Sequence, residues 1–181
     1  RCIDQTSAQV RWLAGIQAIA SSFPRQALQM TWDFVESVPV GEQSANFGAA
    51  VEWVAKVAER HAGVYGPGQT QQGDARKCNL PDESVDVFFT DPPYYDAVPY
   101  ADLSDFFLAW LKPLEEKLLG PLTWDSNDTL SPKDCEAVWN QAHQYDGKVK
   151  DPAYFESAMQ EAFIEGRRIL RPTGVSCVVF A

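Results

Sequence analysis

The chain has 181 residues, enough to bury the core of one domain, and its 45% hydrophobic and 22% charged composition is that of a globular protein. Its net charge of −10 at pH 7 opposes contact with phosphate backbones, so any binding of nucleic acid would need basic residues outside this segment. No apolar run approaches a membrane span, so no membrane partner is expected. Four scattered cysteines and two histidines predict no metal site.

The two ends indicate a fragment of a longer polypeptide, because the first residue is Arg1 and the last residues read as a strand cut at its end. We therefore expect residues 1–181 to form a single incomplete domain. Residues 1–45 are predicted to form a helical or irregular N-terminal segment. The α/β core comprises residues 46–113 and 151–181, and residues 114–150 form an insertion-like segment between its two pieces.

The N-terminal half contains two helix patterns. Val10, Leu13 and Ile16 recur at helical spacing and predict a helix near 6–20. A second apolar stripe follows Asn46, a favourable N-cap, and stops at Gly63. Residues 69–72 read as a short strand.

The next strand is predicted at 85–90, an apolar, β-branched and aromatic run typical of a strand in a parallel sheet. It ends in Asp91-Pro92-Pro93-Tyr94, where two prolines remove two backbone donors and fix two φ angles. The chain must leave the sheet there as a stiff turn, at the end of the strand where open α/β sheets bind ligands. A carboxylate, proline carbonyls and an aromatic ring suit a planar ligand with an amino group.

Three more helices and a strand are predicted after this turn. An apolar stripe from Leu103 to Leu111 predicts a helix that Pro113 ends. Ser131 and Asp151, each followed by proline, read as helix starts. Residues 171–174 read as a turn into a strand at 175–180.

The Asp-Pro-Pro-Tyr sequence resembles the catalytic motif of amino-methyltransferases, which methylate N6 of adenine or N4 of cytosine in DNA. The longer run 90–107 resembles that of large prokaryotic adenine-specific DNA methylases, some of which carry a zinc ribbon. The resemblance implies an α/β, partial Rossmann-like methyltransferase fold with a mostly parallel sheet flanked by helices. It also implies S-adenosylmethionine as cofactor, DNA as partner of the full-length protein, and a place in the prokaryotic cytoplasm at the nucleoid.

The resemblance assigns roles to individual residues. The Asp91 side chain and the Pro92 carbonyl would accept hydrogen bonds from the target amino group, while Pro93 keeps the turn rigid and Tyr94 stacks on a flipped-out base. Asp74, in a Gly-Asp pair before the central strand, would accept a bond from the adenine of the cofactor. Asp74 would alternatively cap a turn, as aspartate commonly does.

Tyr95, Asp96 and Tyr100 follow the turn and are candidates for the base pocket, although the two tyrosines fit a half-buried wall equally well. The glycine-rich turn that holds the methionine end of the cofactor in such enzymes is missing from 1–181. We therefore expect the remainder of the polypeptide to complete the cofactor site.

Two other functions remain open at this point. The same chemistry would serve an RNA or protein amino-methyltransferase, although those enzymes more often carry Asn where Asp91 stands. A non-catalytic methyltransferase-like module of a larger complex would explain the missing glycine-rich turn. The motif alone does not separate adenine from cytosine.

Overall fold

The computed structural model describes residues 3–4, 12–23, 27, 30, 32, 34–35, 38–42, 46–71, 73–115, 117, 129–145 and 147–179. The chain divides into two compact units. The first unit comprises residues 1–69 with 109–113, and the second comprises 70–108 with 114–181. No helix among the described residues is long and apolar enough to cross a membrane.

The first unit contains a short hairpin where a helix was predicted. Strands β1 (Trp12–Leu13) and β2 (Ala18–Ile19) pair in antiparallel orientation. Gln17 has a φ of 50°, a left-handed conformation that a right-handed helix does not contain. The helix prediction is therefore wrong over the described residues 12–20, because a turn interrupts the apolar spacing.

Helix α1 (Phe47–His61) confirms the second helix prediction in this unit. The Asn46 side chain caps it by accepting a hydrogen bond of 2.7 Å from the Ala49 amide. Gly63 follows with a φ of 78°, which glycine adopts without strain and which keeps the chain from continuing as a helix.

The second unit contains a small parallel sheet. Strand β3 (Val85–Thr90) pairs with strand β6 (Leu170–Val178), and helix α3 (Pro152–Ile169) leads directly into β6. The predicted turn at 171–174 is instead a bulge in β6, because Val85 pairs with Leu170 whereas Val87 pairs with Val175. The protein is thus mixed α/β, and each of the three sheets in its described part has two strands.

Helix α2 (Tyr100–Leu111) confirms the apolar stripe after the turn, and strands β4 (Asn140–Tyr145) and β5 (Lys148–Lys150) form an antiparallel hairpin. The helix predicted from Ser131 is wrong, since residues 131–139 are irregular. Asp105 of α2 explains the difference: its carboxylate accepts a 2.7 Å hydrogen bond from the Ser131 amide and forms an ion pair with Lys133. These long-range bonds replace helix initiation.

Helix α3 packs closely on β3 through a glycine. A Cβ at Gly166 would lie 2.5 Å from the nearest atom of the Phe88 ring, so only glycine allows this approach without displacing the ring. On the same helix Phe155, Ala158 and Ile169 are buried. This contact fixes the strand that ends in the Asp-Pro-Pro-Tyr turn.

A carboxylate and a guanidinium near the end of α3 hold the segment that leads into β3. Glu165 accepts a 2.7 Å hydrogen bond from the Cys78 amide and pairs with Arg168 at 2.7 Å. Arg168 also donates to the carbonyls of Cys78 and Leu80, and it pairs with Asp82. The long-range bonds tie the irregular 78–82 stretch to the helix.

We predict that Glu165 makes the second unit sensitive to acid. The Arg168 guanidinium lowers the pKa of Glu165 from 4.5 to about 2, so its stabilising effect is complete above about pH 4.5 and is lost as the pH falls toward 2. Glu165→Gln should lower the midpoint of thermal unfolding at pH 7. Between pH 4.5 and 2 the midpoint should decrease less steeply in this variant than in the wild type. Glu161→Gln, one helical turn earlier and exposed, serves as the control. Identical pH profiles for the wild type and Glu165→Gln would contradict this prediction.

Candidate active site

The Asp-Pro-Pro-Tyr turn, residues 91–94, begins where the parallel pair ends. The Val179 amide donates to the Thr90 carbonyl at 2.9 Å, and the next residue, Asp91, is exposed at the carboxyl end of β3. Pro92 is buried, while Pro93 and Tyr94 are half-buried. The turn therefore has an anchored proline and a carboxylate that projects into solvent.

The Asp91 carboxylate of this turn acts on the Tyr94 side chain. The Asp91 carboxylate raises the pKa of Tyr94, first through a hydrogen bond with the hydroxyl and second through its negative charge. The Pro93 carbonyl accepts a 3.2 Å bond from the Tyr95 amide. Within the described part of the chain, no backbone amide donates to the Pro92 carbonyl. The predicted acceptor carbonyl is thus not used by the described backbone, although Pro92 as a residue is buried.

The Tyr95 ring is half-buried and packs against two other aromatic side chains. Its centroid lies 5.3 Å from that of Trp139 and 5.0 Å from that of Phe155, within the range of favourable aromatic pairs. The Trp139 amide donates to the Tyr95 carbonyl at 3.1 Å. Tyr95 has a φ of 42°, a left-handed conformation that costs a bulky residue energy and that these contacts maintain.

Asp74 caps a turn, as its alternative interpretation predicted. Its Oδ1 accepts a 2.9 Å bond from the Arg76 amide, and its carbonyl accepts from the Lys77 amide at 3.0 Å. The Arg76 guanidinium also binds both carboxylate oxygens, with Nη2 2.7 Å from Oδ2. These bonds lower the pKa of Asp74, so the residue remains a carboxylate over the physiological pH range.

A cavity of about 570 Å³ brings the two predicted carboxylates together. One wall is the turn after β3, a second is the Asp74 segment, a third is helix α3 and a fourth is the irregular 131–139 stretch. The predicted site residues in its lining are Asp74, Asp91, Pro92 and Pro93. Tyr94, Tyr95, Asp96 and Tyr100 do not line it; Asp96 borders a separate cavity, and Tyr100 is exposed at the start of α2.

The fourth wall contributes residues that the sequence did not indicate. Glu136 lines the cavity, and its Oε1 accepts a 2.9 Å bond from the Ala101 amide at the start of α2. Lys150 is fully buried and donates to the Glu136 carbonyl at 2.6 Å. No local signal identifies Glu136, because it lies 45 positions after Asp91 in a segment that resembled a helix.

The lining is acidic and apolar, which fits the cationic sulfonium and the adenine ring of S-adenosylmethionine. Asp91 and Glu136 supply negative charge, Arg76 offsets the charge of Asp74, and Met159 and Phe163 of α3 supply apolar surface. The fit is incomplete at Asp74, because Arg76 already takes most of the roughly four acceptor positions of that carboxylate. Adenine could therefore bind Asp74 only at its remaining lone pair or by displacing Arg76.

No known protein family, curated protein or solved structure matches this chain. Among the described residues, no group of three His, Cys, Asp or Glu side chains is arranged to hold a metal ion. The functional assignment therefore rests on the chemistry of the cavity and on the motif that borders it.

Proposed function

We propose that this chain is part of an S-adenosylmethionine-dependent DNA amino-methyltransferase whose target is N6 of adenine. One observation carries the proposal: Asp74 and the Asp91-Pro92-Pro93 turn, chosen for separate roles from sequence, line the same cavity. The site lies at the carboxyl end of a parallel strand, where α/β enzymes bind ligands. A Rossmann-like methyltransferase domain completed by other parts of the polypeptide is the corresponding proposal for the fold.

The turn has the acceptors that amino methylation needs. The lone pair of adenine N6 is delocalised into the ring, and two acceptors on its N–H groups orient it for attack. Asp91 is exposed and the Pro92 carbonyl receives no backbone amide among the described residues, so both can accept. S-adenosylmethionine, when bound, would supply the methyl group on a sulfonium, from which a neutral thioether leaves readily. Asp91 would accept the proton that leaves the nitrogen as that methyl group is transferred.

Tyr94 would hold the base beside these acceptors. A base reaches the turn only after it leaves the duplex, and an aromatic ring compensates for lost stacking by roughly 1–3 kcal/mol. The Asp91 carboxylate lies close enough to the Tyr94 hydroxyl to raise its pKa, so ring and carboxylate are neighbours in the turn. Tyr94 would therefore stack on the base next to the carboxylate that accepts one of its N–H groups.

DNA and adenine are proposed from the resemblance of residues 90–107, with cytosine N4 as the nearest alternative acceptor. The net charge of −10 means that basic residues elsewhere in the polypeptide would bind the phosphates. We place the enzyme at the nucleoid of a prokaryotic cell.

A non-catalytic methyltransferase-like module is the second candidate, and the state of Asp74 favours it. The two-point contact with Arg76 leaves that carboxylate little capacity for a cofactor. Such a module would retain the turn but bind no S-adenosylmethionine.

A bulky substitution in the cavity tests the proposal. Ala162 lines the cavity on α3, whereas Ala153 is exposed near the start of the same helix. We predict that Ala162→Phe in the full-length polypeptide weakens S-adenosylmethionine binding at least about tenfold in calorimetric titration, because the ring fills the ligand volume. Ala153→Phe should bind like the wild type. Binding that Ala162→Phe leaves unchanged would place the cofactor elsewhere, and no binding by a folded wild type would favour the non-catalytic module.

A further inference from the structure

A second cavity of about 350 Å³ lies beside the segment that follows the Asp-Pro-Pro-Tyr turn. Its volume is at the lower end of the range for small-molecule sites, which suits a ligand of the size of one base. The residues that line it are Asp96, Pro99, Val138, Trp139, Asn140 and Gln141. Val138 is buried, and the other five are half-buried or exposed.

The polar groups of this cavity have capacity for a ligand. Asp96 is exposed, and in the described part of the chain no residue donates a hydrogen bond to its carboxylate or pairs with it. Asn140 uses its Oδ1 to accept a 2.9 Å bond from the Ala142 amide, so its NH₂ group is the part left to donate. Gln141 is exposed and can donate or accept.

Trp139 gives the cavity an aromatic surface in a fixed position. Its ring packs against Tyr95 with the ring planes inclined at 57°, and its amide donates to the Tyr95 carbonyl at 3.1 Å. An indole held in this way provides a stacking surface with little loss of freedom on binding, and every base has a face that can stack.

We infer that this second cavity binds a nucleobase, and guanine in preference to the others. Guanine presents two neighbouring N–H groups beside the O6 acceptor on one edge. The Asp96 carboxylate can accept both N–H groups, and the Asn140 NH₂ can donate to O6. Adenine and cytosine offer one amino group next to a ring acceptor, so they satisfy the carboxylate less fully.

This inference rests on the proposed function for the choice of nucleic acid as the natural ligand. Asp91 lines the first cavity and Asp96 the second, and five residues span at most about 18 Å. That distance corresponds to a few nucleotides of one strand. The second cavity would therefore read a guanine near the target base, and Tyr95 would connect the two sites.

Nucleoside titrations test the inference without requiring catalysis. Guanosine, adenosine, cytidine and uridine are titrated separately into the full chain, and binding is followed by saturation-transfer NMR. We expect guanosine to bind most tightly, and Asp96→Asn to weaken it at least about tenfold because the carboxylate becomes an amide. Gln141→Ala should weaken it less.

Two exposed residues outside the cavity provide matched controls. Asp134→Asn and Gln144→Ala should bind guanosine like the wild type. Guanosine binding no tighter than uridine, or unaffected by Asp96→Asn, would overturn the inference.

Methylation of oligonucleotides separates this inference from the proposed function. Hypoxanthine lacks the guanine amino group and can replace guanine in the oligonucleotide. If this replacement lowers methylation of a nearby adenine and Asp96→Asn abolishes the difference, the inference and the proposed function are both supported. Guanosine binding with no methylation of any acceptor would leave the inference standing and contradict the proposed function. Methylation that neither the hypoxanthine replacement nor Asp96→Asn alters would contradict the inference but not the proposed function.

Discussion

Replacement of Asp91 by alanine is expected to lower the rate of methyl transfer by roughly 10²–10⁴-fold, the usual contribution of a positioned proton acceptor. The carboxylate would orient the amino group and accept its proton, and alanine can do neither. Asp91 is exposed, so the fold should change in stability by no more than about 0.5 kcal/mol. Initial rates with labelled S-adenosylmethionine and thermal unfolding measure the two effects.

Asp86→Asn is the matched control for this variant. Asp86 lies five positions earlier, on β3, with a side chain that is 74% exposed and pairs with Arg171 at the surface. Such a pair contributes about 0–1 kcal/mol, so activity and stability should stay close to those of the wild type. Normal methyl transfer by Asp91→Ala would exclude Asp91 from the reaction.

Replacement of Lys150 by methionine is expected to lower the free energy of unfolding by about 2–5 kcal/mol. Lys150 is completely buried, and its ammonium donates to the carbonyls of Lys133 and Glu136 and lies 5.3 Å from the centre of the Tyr154 ring. Methionine fills a similar volume but removes both charged hydrogen bonds, so the two carbonyls keep only the amides of Glu136 and Val138 as donors. Burial also lowers the pKa of Lys150, and these acceptors hold the ammonium in place despite that cost.

Lys148 supplies the control, because it is exposed on the same three-residue strand. Lys148→Met should change the unfolding free energy by less than about 0.5 kcal/mol in urea denaturation. Equal effects of the two variants would contradict the role given to Lys150. Since Lys150 anchors the stretch that contains Glu136, Lys150→Met should also weaken ligand binding in the 570 Å³ cavity.

The elements set by local chemistry were the ones that the sequence predicted. Asn46 and Asp151 cap α1 and α3 through hydrogen bonds of 2.7 and 2.8 Å to amides three residues ahead. Strand β3 ends where Asp91 and two prolines follow it. In each case the deciding residues lie within one turn of the boundary, so their effect does not depend on the rest of the chain.

The elements set by distant partners were not predictable in this way. Ser131 followed by proline resembles a helix start, yet its amide bonds to Asp105, 26 positions earlier. The bulge in β6 arises from pairing with β3, 85 positions away at Val85 and Leu170. Such contacts depend on tertiary structure, which periodicity does not encode.

The candidate site likewise contains features that the sequence predicts and features that depend on distant contacts. The motif at Asp91 and the Gly-Asp pair at Asp74 were visible in sequence, and the structure places both at one cavity. The bond from the Arg76 amide to Asp74 was foreseeable as a turn cap, but the two-point ion pair with the side chain was not. Glu136 lines the cavity because it lies in residues 131–139, which are irregular and not helical as predicted.

The most direct test is the mass of the nucleosides recovered from DNA after incubation with the full-length polypeptide and S-adenosylmethionine. We predict deoxyadenosine that is heavier by one methyl group and methylated at N6, formed by the wild type and by Asp86→Asn but not by Asp91→Ala. Methylated deoxycytidine instead would support amino methylation as the reaction but would make cytosine the target base. No methylated nucleoside, from a folded protein on DNA of varied sequence, would contradict the proposed function.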